Sequence, residues 1–243
     1  MSGKGGVGKS SLAANIAVSL SNRNFRVGLL DVDFHGPSIA NILGLKGLLD
    51  VDNDRFATPK IYGNGLKVVS MQSLLQECDK AVIWRGPVKT GVIRQFLTDV
   101  RWGELDFFVI DSPPGTGDEH LGIAQSIAGV KAVIITTPQE IALSDVRKSI
   151  NFCRNVNMEI LGLIENMGPF PCPCCGRIID PFRSGGGEKT AASMGIRFIG
   201  AIPFDPDVVK ATDNGIPYVN HCSTGIFSRA VEDVVDRIAT LLP

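Results

Sequence analysis

A chain of 243 residues that is 44% hydrophobic and 20% charged carries enough apolar material for one large α/β domain spanning 1–243, and no linker-like tract divides it. Its formal net charge of −1 gives no reason to expect a nucleic-acid partner, no apolar run reaches the roughly 18 residues that cross a bilayer, and no leader segment opens it, so a cytoplasmic protein without a membrane partner is expected. Its six cysteines, with Cys172, Cys174 and Cys175 crowded together, point to metal chemistry in a reducing compartment rather than a disulfide framework.

The first element is a loop. Gly3 through Ser10 fits the phosphate-binding pattern GxxxxGK[ST] in full. Gly3, Gly5, Gly6 and Gly8 let backbone N–H groups turn toward an anion, with Val7 and Ser11 completing the cradle. Lys9 is placed to reach the outer phosphates and Ser10 to ligate Mg²⁺. A second lysine, Lys4, stands where most such loops have none, which suggests that two chains meet over the phosphates. Leu12, Ala13, Ile16, Ala17 and Leu20 recur at helical spacing, so an amphipathic helix is predicted from Lys9 to about Asn22. Only Met1 and Ser2 precede Gly3, whereas a phosphate loop normally hangs from a buried strand; the expectation is that the native product starts earlier, with an apolar strand.

Next come short, continuously apolar runs that end in polar groups: Val27 to Asp33, Leu105 to Asp111, Val130 to Thr137, Glu159 to Asn166 and Ile196 to Ile202. Helical stretches such as Ile141 to Val156 separate them. This pattern predicts a doubly wound, mainly parallel sheet with helices on both faces, and places Asp33, Asp111 and Asn166 at one edge. At the strand ends, Asp33 is the candidate for orienting an attacking water, Asp31 for a supporting partner of Mg²⁺, and Asp111 for holding Mg²⁺ through water. Ser112-Pro-Pro-Gly-Thr-Gly-Asp118 follows, and the backbone N–H groups of Gly115 and Gly117 are candidates for sensing a γ-phosphate. His35 and His120 lie near these segments and receive no role.

Assembled in this order, the motifs resemble the Mrp/ApbC-type iron–sulfur cluster carrier ATPases of the MinD/ParA-like P-loop group. The resemblance rests on the loop at Lys4 to Ser10, on Asp31-Val-Asp-Phe-His-Gly-Pro-Ser38 and Trp84-Arg-Gly-Pro87, and on Asp111 to Asp118 and Glu165-Asn-Met167. The cysteine cluster, Gly185-Gly-Gly-Glu-Lys189 and Ile202-Pro-Phe-Asp-Pro206 complete it. It implies an ATP-dependent homodimer in which Lys4 of one subunit reaches the nucleotide of the other, cycling between ATP and ADP with slow hydrolysis. It also implies that Asn166 reads adenine through its amide, beside the backbone near Pro203.

An inserted cysteine loop is expected at about 168–184. Cys172 and Cys175 have the C-x-x-C spacing that lets two thiolates bind one metal centre, with Gly176 relieving crowding. A closed site wants four sulfurs, so a two-fold axis beside this loop would join the pairs of two subunits around a [4Fe–4S] cluster or Zn²⁺. Three further readings stay open: a thioredoxin-like redox pair, a zinc staple in a nucleotide switch without cluster transfer, and a positioning ATPase of the MinD or ParA kind. Against the last, the terminal helix carries Phe227, Val231, Val234, Ile238 and Leu241 at packing intervals rather than a basic membrane-binding face. As a carrier, the protein would pass its cluster to apo iron–sulfur proteins. Cys78, Cys153 and Cys222 are expected to be packed hydrophobes, and Gly185 to Gly187 a connector or a hinge.

Overall fold

The computed structural model describes residues 1–74 and 86–242; Cys78, Trp84 and Arg85 lie outside them. The chain opens with α1 (Lys9–Asn22), β1 (Val27–Asp31), α2 (Ile39–Ile42), β2 (Asp50–Val51), β3 (Ala57–Thr58), β4 (Lys60–Tyr62) and β5 (Leu66–Ser70). It continues through α3 (Gly86–Thr98), β6 (Phe107–Asp111), α4 (Asp118–Ser126), β7 (Lys131–Thr136), α5 (Glu140–Asn155) and β8 (Glu159–Gly168). Last come β9 (Phe170–Pro171), β10 (Ile178–Ile179), α6 (Gly186–Ser193), β11 (Phe198–Pro203), α7 (Pro206–Asp213), α8 (Tyr218–His221) and α9 (Ile226–Leu241).

The five apolar runs become β1, β6, β7, β8 and β11, all in parallel pairings. β5, a five-residue strand that pairs parallel to β1, has no counterpart among those runs, because its apolar stretch is short and interrupted by Lys67. β4 adds an antiparallel edge to β5. The resulting orders are β4-β5-β1-β6 and β11-β8-β7.

α1 differs from its predicted amphipathic form. Every residue from Leu12 to Ser21 is buried, because the helix lies between the sheet on one side and α2, α8 and α9 on the other. Two of its buried polar residues are satisfied by the protein rather than by solvent. Asn15 donates to Ser11 O at 2.8 Å and accepts from Val219 N at 3.0 Å, and Ser19 donates to Glu232 at 2.5 Å. α9 covers it with Phe227, Val231, Val234, Val235 and Ile238, each such side chain worth about 1.5–3 kcal/mol when removed from water. That stripe makes α9 a packing helix, as expected. No described helix is long and apolar enough to cross a membrane.

Between the two sheet portions runs a cleft of about 420 Å³, lined by Ala13, Ile16 and Leu20 of α1, by β6 from Phe107 to Asp111, and by Val133 and Ile135 of β7. Among the described residues, β6 pairs with β1 and β7 with β8, and no strand lies between their facing edges. Met1 and Ser2 enter the mouth of this cleft. The Met1 ammonium donates to Val133 O at 2.7 Å, Ile135 N donates to Met1 O at 2.8 Å, and Gly115 N donates to Ser2 O at 2.8 Å. The first two bonds have the pattern of a parallel ladder. Burial first, and the Lys9 ammonium second, bring the Met1 ammonium down to about 5.

Candidate functional site

The phosphate loop runs from Met1 and Ser2 into α1. Gly8 sits at φ 81 as the N-cap of that helix, and a Cβ there would collide with the Asn166 amide, so two requirements for glycine coincide at one residue. Val7 is buried, Lys9 is 8% exposed, and Lys4 projects into solvent. Lys9 Nζ lies 2.5 Å from Asp111 Oδ1 and 3.4 Å from Ser10 Oγ. In the same segments of the chain, three oxygens are buried without a hydrogen-bond partner: Asp111 Oδ2, Ser11 Oγ and Ser112 Oγ. Oxygen donors of this kind suit a hard cation such as Mg²⁺.

The sheet brings the acids together. Asp31 and Asp111 are register partners on β1 and β6, and Asp31 is register partner to Ser70 on β5. Asp31 Oδ1 accepts from Asp33 N at 3.0 Å, while Oδ2 accepts from Ser38 N, Ile39 N and Ser70 Oγ at 3.2, 3.2 and 3.0 Å. With these donors Asp31 anchors both ends of the loop that carries Asp33, a more direct task than the support of Mg²⁺ expected for it. Burial first, then the Asp111 carboxylate, pushes Asp31 up to about 7 against those donors. Asp33 Oδ1 in turn accepts from His35 N at 3.1 Å and Gly36 N at 3.0 Å, which fixes the carboxylate at the head of the loop.

In this arrangement the Gly115 N–H, expected to sense a γ-phosphate, donates to Ser2 O at 2.8 Å. A contact not legible in the sequence ties the two flanking segments together. Lys89 Nζ on α3 donates to Glu119 Oε1 at 2.6 Å, lies 2.9 Å from His35 Nε2 and stands 5.8 Å from the Phe34 ring. Burial works against the Glu119 carboxylate, yet the hydrogen bond from Lys89 takes it below the usual range. His120, 1% exposed, has no hydrogen-bond partner at either ring nitrogen and makes an edge contact with Phe152. Burial, then the Met1 ammonium, brings its imidazolium down to about 4.

At the far side of the loop, Asn166 on β8 donates its amide to Val7 O at 2.8 Å. Pro203 ends β11 as register partner of Gly168, and Phe204 N donates to Gly168 O at 2.9 Å. β8 then leaves the sheet as a hairpin. Pro171 and Ile178 pair across it, Cys172 N donates to Arg177 O at 2.8 Å, and Gly176 N donates to Cys172 O at 2.9 Å. Cys172 is half-buried; Cys174 and Cys175 are exposed. The backbone N–H of Cys174 first, and that of Cys175 second, hold the Cys172 thiol below its usual range, which favours the thiolate that metals bind. Among the described residues of one chain, no group of three or more His, Cys, Asp or Glu side chains is placed to hold a metal ion. Cys153 is buried against Met1 and its thiol is raised by burial, as a packed hydrophobe would be; Cys222 is half-buried beside the core.

The family described as ParA, NUBPL iron-transfer P-loop NTPase, matches residues 1–239. The chain belongs to this family. An iron-sulfur cluster carrier protein of Saccharolobus solfataricus is 44% identical over 243 residues, covering 100% of this chain and 82% of that protein. The cytosolic Fe-S cluster assembly factor CFD1 of Eremothecium gossypii is 41% identical over 253 residues, covering 98% of this chain and 90% of its own length. A nucleotide-binding protein of Archaeoglobus fulgidus, solved in complex with ADP, aligns with a TM-score of 0.78 at 41% identity over 89% of this chain and 85% of that one. The septum site-determining protein MinD of Pyrococcus horikoshii shares the fold, with a TM-score of 0.72 at 23% identity over 99% of this chain and 94% of its own. The P-loop NTPase fold and the iron-transfer family expected from the sequence are thus both present.

Proposed function

We propose that this iron-transfer NTPase is an ATP-dependent carrier of iron–sulfur clusters. It works as a homodimer that holds a [4Fe–4S] cluster on Cys172 and Cys175 of both subunits and passes it to apo-proteins in the cytosol. The observation that carries the reading is continuity: β8 touches the phosphate loop through Asn166 and, a few residues later, becomes the hairpin that displays the thiols. The names of its relatives, cluster carrier and cytosolic assembly factor, agree with this.

In this reading Gly3 to Ser11 cradle ATP, Lys9 meets the outer phosphates, and Ser10 and Asp111 hold Mg²⁺. When bound, that cation neutralises phosphate charge. Asp33 orients the attacking water. Asn166 keeps its amide nitrogen on Val7 and offers Oδ1 to the amino group of adenine, with the backbone at Pro203 along the base. Lys4, exposed at the rim, reaches the nucleotide of the partner subunit. Hydrolysis is slow because the site is complete only in the closed dimer.

Iron and sulfide analysis of protein purified without oxygen, with its absorbance spectrum and light-scattering mass, tests the reading. Cys172→Ala and Cys175→Ala are expected to lose iron and sulfide while ADP binding stays within about threefold. Zinc without sulfide would move the protein to the zinc-stapled switch, and full cluster occupancy in the cysteine variants would remove the bridging site.

The cleft between β6 and β7 has apolar walls and, among the described residues, no strand between its edges, and we propose that it seats an apolar parallel strand leading into Gly3.

A further inference from the structure

Glu165 stands beside Asn166 on β8, and successive strand residues point to opposite faces. One side chain therefore meets the phosphate loop and the other meets α6. Glu165 is 1% exposed. Its Oε1 accepts from Gly185 N at 2.9 Å and its Oε2 from Gly187 N at 2.6 Å, supplying acceptors to the first turn of α6. The turn is built around this carboxylate. Gly185 has φ 88, and a Cβ at Gly187 would stand 3.0 Å from both Glu165 Cβ and Oε2. The Gly185 to Gly187 segment is accordingly an anchored turn rather than a loose connector.

The cysteine hairpin is held at both ends by this one stretch of strand. It departs from Gly168, whose carbonyl is fixed by Phe204 N, and it returns to the amides that Glu165 binds. Val7 is hydrogen-bonded to Asn166 at 2.8 Å, so any movement of the phosphate loop at Val7 would act on β8 next to Glu165. We propose that Glu165 is the positioning residue that couples nucleotide occupancy to the cysteine hairpin. This rests on the carrier reading, because only a thiol site that must load and unload gains from such a link. A link of this kind is reciprocal, so whatever holds the thiols also changes nucleotide affinity.

The test reads the hairpin itself. Backbone hydrogen exchange across residues 170–187 is compared with and without Mg-ADP in the wild-type chain, in Glu165→Gln and in Gly187→Ala. The wild type is expected to change exchange rate about fivefold or more on nucleotide addition. Both variants are expected to lose most of that difference while their ADP affinity stays within about threefold. A residue that merely caps α6 would give faster exchange in the variants by equal factors in both states. That outcome overturns the proposal, as does a wild-type hairpin indifferent to nucleotide. Cluster content, measured separately by iron and sulfide, decides the carrier reading without touching this result.

Discussion

Asp31 and Asp111 lie side by side as register partners on adjacent parallel strands, yet their surroundings are opposite. Asp31 is saturated by three backbone amides and the Ser70 hydroxyl. Asp111 has one lysine on Oδ1 and a bare Oδ2. One acid builds the loop and the other is left with a ligand atom to offer.

Removing the loop builder is therefore expected to cost stability as well as turnover. Asp31→Ala orphans several buried donors at about 1–3 kcal/mol each. A lowering of Tm by roughly 2–4 °C per kcal/mol follows for a chain of this size. Ser70→Ala removes two bonds, the one it donates to Asp31 and the one it accepts from Gln72 N, and should cost less, about 1–3 kcal/mol in all. Thermal melts and ATPase rates of the two variants check the order; equal melts would place the loop's support elsewhere.

Lys9→Ala is expected to abolish nucleotide binding and also to weaken the nucleotide-free chain. It leaves the Asp111 carboxylate, 1% exposed, without a partner, and breaking a buried pair in this way costs about 3–5 kcal/mol. Adding Asp111→Asn to Lys9→Ala removes the stranded charge and should recover much of that stability without restoring binding. Urea titrations of the single and double variants measure the recovery.

His120 makes stability fall with acid. Its folded value is near 4 against an ordinary value of 6.5. Between those pH values the unfolded chain therefore binds a proton that the folded chain refuses, and stability drops as pH falls from about 6.5 to about 4. The full contribution is about 3 kcal/mol. His120→Leu should remove this dependence, so the wild-type-minus-variant stability difference should fall by about 3 kcal/mol as pH drops through that window, with the Met1 ammonium, Lys9, Glu119 and Asp33 acting nearby in both chains. A difference that stays constant with pH would show that the imidazole titrates normally.

The cleft between β6 and β7 leads to a further expectation. Five or six β-branched residues joined ahead of Met1 should insert as a parallel strand and slow amide exchange in both neighbours. Tm should rise by about 5 °C or more through added apolar burial. A Gly/Ser extension of equal length serves as control. If both extensions leave the melt and the exchange of β6 and β7 unchanged, the cleft is not a strand seat.

Much of this molecule was legible along the chain. The loop from Gly3 to Ser10, the limits of α1, the five parallel strands and the acids at their ends all follow from local periodicity and from the backbone freedom of glycine, which act over a few residues. The relations that give those parts their tasks were not legible. Ser70 reached Asp31 only because β5 pairs with β1, and Glu119 met Lys89 only because α3 packs on α4. Glu165 looked like an ordinary strand acid until α6 brought two glycine amides to it. The four donors around Asp31 show it as a loop anchor, a task its place at a strand end did not announce. Composition and spacing determined which chemistry this chain carries; pairing between distant strands and helices decided which side chain meets which, because a hydrogen bond is set by distance in space and not by distance in sequence.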